Sequence, residues 1–227
     1  MKILRKPARI LASILALVLA LNAGAALAEF DMSVIRENKY LKIDVDKDSD
    51  VAYIESTFSA KDCSFTHDND SPTRYSVTEF DILMINYFSS GTYPILRLWM
   101  YVSTESQFYY YNSVSFTVKD KTYTFSDVSN KDWFDQGDKY YEQQLLIKFG
   151  PKSLDFLLAL FELAGEGFEA GSFDDIHIPV VFHGTKDING TLDKGFLVEY
   201  YLLISAFIEA GGLDYLDKVM ETSVNAV

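Results

Sequence analysis

The chain has 227 residues, 48% hydrophobic and 15% aromatic, with 20 Lys+Arg against 33 Asp+Glu and a formal charge of −13. That apolar content is incompatible with a disordered chain, and a surface this anionic repels nucleic-acid phosphates and anionic lipid headgroups, so neither is expected as a partner. Cys63 is the single cysteine, which excludes an intrachain disulfide and leaves stability to a hydrophobic core.

Residues 1–28 read as a secretory signal peptide. Lys2, Arg5, Lys6 and Arg9 make a basic head without an acid, Ile10 to Leu21 is a short apolar run, and Ala26-Leu27-Ala28 is an A-x-A exit. The run is shorter than the ~20 residues that a membrane-spanning helix needs. The expected mature chain starts near Glu29 and carries a charge of −17, because all four charged residues of the leader are basic. A secreted, periplasmic or cell-surface location follows, and the short basic head is of bacterial type. Residues 29–227 are expected to form one globular unit, β-rich over 29–149 and mixed β/α over 150–227.

Tyr40 to Val45 alternates, with Leu41, Ile43 and Val45 on one face, and Val51 to Phe58 is rich in β-formers. Asp46 to Asp50 between them predicts a hairpin. The same stretch holds Asp44, Asp46, Asp48, Asp50 and Glu55 at the oxygen spacing of an EF-hand calcium loop, which makes calcium the one candidate cofactor. Ser49 stands where that loop wants glycine, and the flanks read as strands, so a solvated acidic turn is the competing reading. Another turn is expected at His67 to Pro72.

Phe80 to Phe88 and Tyr93 to Val102 are apolar on both faces, as in central strands covered on both sides. Pro94 belongs at a strand start or an edge. Arg97 shares a strand face with Ile95 and Trp99 and is expected to pair with a carboxylate. Tyr109, Tyr110 and Tyr111 follow Phe108 and cannot all face inward on a strand. Trp133 sits among acids in Asp132 to Asp138, read as a loop. These four aromatics are the candidate ligand-binding residues, because Tyr and Trp supply flat apolar area with a polar tip. Ser113 to Lys119 and Thr122 to Ser126 alternate around a turn at Lys119 to Lys121, and Tyr140 to Phe149 is a further strand.

The last third changes period. Pro151 opens a helix with Lys152, Asp155, Ala159, Glu162 and Glu166 on its polar stripe, stopped by Gly165 and Gly167. Ile176 to Phe182 reads as an edge strand because of Pro179, and Asn189-Gly190 as a turn. Leu192 to Ala210 is a helix, apolar except for Glu199, Ala206 and Glu209. Leu213 to Glu221 is a short amphipathic helix. Neither long helix is expected to cross a membrane: Phe196 to Ile208 rises about 20 Å, short of the ~30 Å hydrocarbon layer.

No catalytic motif is present. His177 and His183 lie about 20 Å apart on one predicted strand, too far to share a metal. Asp175 with His177, and Cys63 with His67, are weak pairs without a nucleophile–base geometry. The fold expected is α+β: an antiparallel sheet or sandwich over about 33–149, with helices of the carboxy-terminal third packed on it. The leading functional expectation is an extracytoplasmic binding protein for a carbohydrate, peptide or protein ligand. A calcium-stabilised envelope protein and a hydrolase without a recognisable motif are the alternatives.

Overall fold

The computed structural model describes residues 29–57, 65–67, 73–89, 92–104, 108–126, 129–135, 140–192, 194–218 and 224–226, with the backbone alone at 65–67, 73–77, 129–135, 140, 218 and 224–226. The expected leader, Cys63 and most of the turn at 67–72 lie outside the described residues.

Among the described residues, strands form two six-stranded antiparallel sheets. Sheet A runs β1 (Leu41–Asp46), β2 (Val51–Ser56), β4 (Thr73–Ile85), β5 (Tyr93–Thr104), β9 (Tyr140–Lys148), β8 (Ser129–Asp135). Sheet B runs β12 (Val224–Ala226), β7 (Lys121–Ser126), β6 (Ser113–Val118), β10 (Ile178–His183), β11 (Ile188–Leu192), β3 (Phe65–His67). The helices are α1 (Met32–Glu37), α2 (Leu154–Ala170) and α3 (Lys194–Glu209), with 3-10 turns at Pro151–Ser153 and Gly212–Lys218. The chain is therefore α+β. Sheet B takes strands from both sides of residue 150, so the change of period there is not a boundary in the sheets.

Helices are not confined to the carboxy-terminal third. The first described element is α1, capped by Asp31, whose side chain accepts from the Ser33 N–H at 2.9 Å, and anchored by buried Ile35. One aromatic core joins the parts. On sheet A, Phe80 meets Phe196 and Tyr200 of α3 at ring-centroid distances of 5.1 and 5.0 Å. On sheet B, Phe116 and Phe125 meet Phe156 of α2 at 5.3 and 5.0 Å. Phe149, just past β9, reaches Phe80 at 6.1 Å, Phe125 at 5.8 Å and Phe156 at 6.0 Å. The helices pack on each other through stacked Phe161 and Tyr201, and the Tyr200 hydroxyl donates to the Leu157 carbonyl. Helix α3 is apolar nearly all round because it is buried nearly all round: Glu199 and Ala206 are buried and only Glu209 of its expected polar stripe is exposed.

Three glycine signals play other parts than expected. Helix α2 runs through Gly165 and Gly167 and ends at Gly171, whose φ of 72° is the left-handed cap. Gly167 is a packing residue: a Cβ there would lie 2.5 Å from the Phe173 ring. Gly190 lies inside β11, buried opposite Val180, while Gly184 to Asp187 makes the hairpin turn. Pro179 sits in a central strand, not an edge. It precedes Val180, where the ladder to β6 begins, so β6 needs no N–H from it. Pro94 likewise precedes the β9 ladder, which starts at Arg97.

The two α2 glycines separate by substitution. Gly165→Ala meets only Tyr201, at 3.8 Å, and is expected to stabilise the protein, by about 0.5–1 kcal/mol, through the gain in helix preference over glycine. Gly167→Ala is expected to destabilise it by roughly 1–3 kcal/mol through overpacking. Urea unfolding of the two variants checks both signs.

Candidate functional site

The outer faces of the two sheets differ in kind. Sheet B presents Ser113, Thr117, Thr122, Thr124, Asn189 and Thr191, with Ser115 buried among them at 7% exposure and Pro179 and Val181 on the same side, a mainly polar face. Sheet A presents Tyr53, Leu83, Ile95, Trp99, Tyr101 and Leu146, all half-buried, on the side away from α3. On the inner side of these central strands Phe80, Ile82, Met84, Leu96, Leu98 and Met100 are fully buried, and on the outer side Asp81, Arg97, Ser103 and Glu142 are buried while the apolar residues are half-buried. Among the described residues no helix packs on the outer side.

A cross-strand row of charge runs through that outer face. Strand pairing aligns Lys42, Glu55, Asp81, Arg97 and Lys148 from β1 to β9. At its centre Arg97 Nε donates to Asp81 Oδ1 at 2.7 Å, and Nη2 donates to Oδ2, a two-pronged pair. The guanidinium lies 5.1 Å from the Trp99 ring and 5.5 Å from the Tyr53 ring. Trp99 Nε1 adds a 3.3 Å hydrogen bond to Asp81 Oδ2. These rings explain how a charged pair on an outer face is only 7% and 3% exposed. The expected carboxylate partner of Arg97 is thus Asp81, supplied by the neighbouring strand. Burial pushes the Asp81 carboxyl upward, and Arg97 and Trp99 pull it back. At the flanks, Lys42 pairs with Glu55 at 2.8 Å and Gln144 donates to the Tyr101 hydroxyl at 2.9 Å. Burial, with the charges of Glu55 and Asp81, raises the Glu79 carboxyl.

Of the expected aromatic residues, Tyr109, Tyr110 and Tyr111 lie off the strands of this face, whereas Trp133, through its pairing with Glu142, holds a register position on it. Tyr109 and Tyr111 are buried, stacked at 6.1 Å, and Tyr111 packs on Phe182 at 5.7 Å. Only Tyr110 of the three is open, 58% exposed at a φ of 52°. Trp133 lies on strand β8, not in a loop, paired across the backbone with Glu142. The strand had no sequence signal because Asp132, Asp135 and Lys131 mask its period. Tyr53, Tyr101, Leu83 and Leu146 were missed as site residues; the available signal was the apolar character of both faces of β4 and β5.

The acidic turn joins β1 and β2 as a hairpin. Asp44 pairs with Tyr53 and Glu55 with Lys42, on opposing strands. Asp46 accepts from the backbones of Asp48 and Ser49 at 3.0 and 3.3 Å and from the Ser49 hydroxyl at 2.7 Å. Asp50, at a φ of 53°, accepts from the Phe88 N–H at 2.7 Å and from the Ser89 hydroxyl, and so pins the β4–β5 loop. Asp48 stands in the exposed turn. Among the described residues no three acidic, histidine or cysteine side chains gather closely enough to hold a metal ion. Asp175 and His177 are exposed ahead of β10. No described helix is long and apolar enough to cross a membrane.

The chain matches no family model, no curated protein and no solved structure.

Two outcomes test the charge row. Arg97→Ala leaves Asp81 buried without its partner and is expected to cost about 3–5 kcal/mol, whereas the double change Arg97→Met with Asp81→Leu costs far less; chemical denaturation reads the difference. Glu79 has a folded-state pKa above its ordinary value. Its ionised form therefore lowers stability at neutral pH, and that cost disappears as pH falls below the usual glutamate range. Glu79→Gln is expected to raise the melting midpoint at about pH 7 and leave it unchanged at about pH 3.

Proposed function

We propose that the chain is an exported binding protein that takes a neutral carbohydrate on the outer face of sheet A. The observation that carries this reading is the contrast between the two outer faces. One fold has dressed sheet B with hydroxyls and sheet A with rings and aliphatic side chains, and an apolar outer face of that kind marks a contact surface. Carbohydrates combine apolar ring faces with hydroxyls, which suits Tyr53, Trp99 and Tyr101 set among Glu55, Glu79 and Gln144. Arg97 and Asp81 hold those rings in place and spend their own charges on each other. The anionic body disfavours acidic polysaccharides, which is why the ligand is taken as neutral. Export rests on the leader pattern of residues 1–28, and the single-unit reading of 29–227 goes with it. Asp46 and Asp50 of the acidic turn are engaged with the turn backbone and the β4–β5 loop, which favours the binding reading over the calcium-stabilised one.

The test uses the two tryptophans of the chain, Trp99 and Trp133. Trp133→Phe leaves Trp99 as the sole indole reporter. Titration of that variant with soluble neutral oligosaccharides, gluco-, xylo- and manno-series in turn, is expected to shift Trp99 fluorescence saturably for at least one series. Trp99→Ala is expected to weaken binding of that series, read by calorimetry, about tenfold or more, with the circular dichroism spectrum showing that the variant is folded. An unmoved fluorescence across all series, or binding indifferent to Trp99→Ala, contradicts the proposal.

A further inference from the structure

The polar face of sheet B holds a constellation that the binding reading does not use. Ser115, in the middle of β6, places its Oγ 2.7 Å from His183 Nε2 at the end of β10. His183 Nδ1 lies 3.1 Å from Asp187 Oδ2 in the turn that follows. Nucleophile, base and orienting carboxylate are in hydrogen-bond order, each through the atom that the chemistry requires. The backbone fixes the geometry. Ser115 and His183 stand diagonally on one sheet face, because Ser115 pairs with Val181 and Ser113 with His183. The turn is docked by Thr185, whose N–H donates to the Tyr109 carbonyl at 2.7 Å, and Asn112 N–H donates to the His183 carbonyl at 3.1 Å. Gly184 permits that approach: a Cβ there would lie 2.2 Å from the Tyr109 carbonyl oxygen. Buried Tyr109 and Tyr111 thus serve as the footing of this turn.

We propose that Ser115, His183 and Asp187 form a nucleophilic site that hydrolyses activated carboxylic esters. His183 takes the Ser115 hydroxyl proton as Oγ bonds to the ester carbonyl carbon. The carbon–alkoxy bond then breaks, and the leaving oxygen departs as the alcohol with the proton from His183. Water, deprotonated by the same imidazole, attacks the acyl-serine, releasing the carboxylic acid and restoring the Ser115 hydroxyl. Asp187 holds the ring and its charge through Nδ1. The Thr124 hydroxyl, 2.8 Å from Ser115 Oγ, is the neighbouring hydroxyl that can turn its proton toward the oxyanion as it develops. Strand β6 is paired on both sides, with β7 and β10, so it has no spare amides for an oxyanion hole. One hydroxyl stabilises an oxyanion less than a pair of amides. The substrate class is therefore esters with good leaving groups and small acyl parts, not peptides.

The experiment treats the folded full chain with a small fluorophosphonate and locates the adduct by mass spectrometry. A single adduct on Ser115 is expected, absent in Ser115→Ala and His183→Gln and retained in His177→Ala. Hydrolysis of p-nitrophenyl acetate is expected to fall about tenfold or more in Asp187→Asn, an exposed substitution that spares the core. Failure to label the folded chain, labelling elsewhere, or labelling indifferent to His183→Gln overturns the proposal and leaves a hydrogen-bond network that only ties β6 to β10. The binding reading on sheet A stands or falls separately.

Discussion

Phe149 is the point on which the architecture turns. Its ring touches Phe80 of sheet A, Phe125 of sheet B and Phe156 of α2, and its N–H donates to the Leu96 carbonyl at 3.1 Å. Without a disulfide, the hold between the two sheets and the helices has to come from such buried rings. Each large apolar side chain removed from water contributes about 1.5–3 kcal/mol, and the contributions are concentrated where several elements meet. Because helices α2 and α3 occupy the inner sides, both outer faces are left to face something else.

What they face divides the molecule's chemistry. Sheet B met the problem of an uncovered side with serine and threonine, and one of those hydroxyls fell within reach of a histidine. Sheet A met it with a buried ion pair wrapped in rings. A desolvated Arg–Asp pair is seldom a net gain in stability over apolar packing, so its place at the centre of a long sheet fits a role in fixing Trp99 and Tyr53 as a rigid surface better than a role in holding the fold.

Elements whose pattern is local were legible in the sequence. The β1–β2 hairpin around Asp46 to Asp50 and the β6–β7 hairpin around Lys119 and Asp120 followed from alternation and turn residues alone. The polar stripe of α2 through Asp155, Glu162 and Glu166 is exposed as its spacing required. Elements whose cause is tertiary were not. Gly167 and Gly190 read as breaks because glycine usually marks them, yet Phe173 presses against the one and the other sits buried in its strand. Strand β8 alternates poorly and exists because β9 offers it an edge. The sites follow the same division. Arg97 was visible as a strand cation needing a carboxylate, but its partner lies 16 positions away. Ser115 and His183 are 68 residues apart, a distance at which no spacing rule operates.

The aromatic junction is closed to water, while the half-buried rings of sheet A's outer face are partly accessible to it. Hydroxyl-radical footprinting of the purified chain tests this residue by residue. The account requires Trp99, Tyr53 and Tyr101 to be modified several-fold faster than Phe80, Phe149 and Tyr200 after correction for intrinsic reactivity. Trp99 and Tyr53 as slow as Phe149 would mean that the outer face is itself interior, and the account would fail.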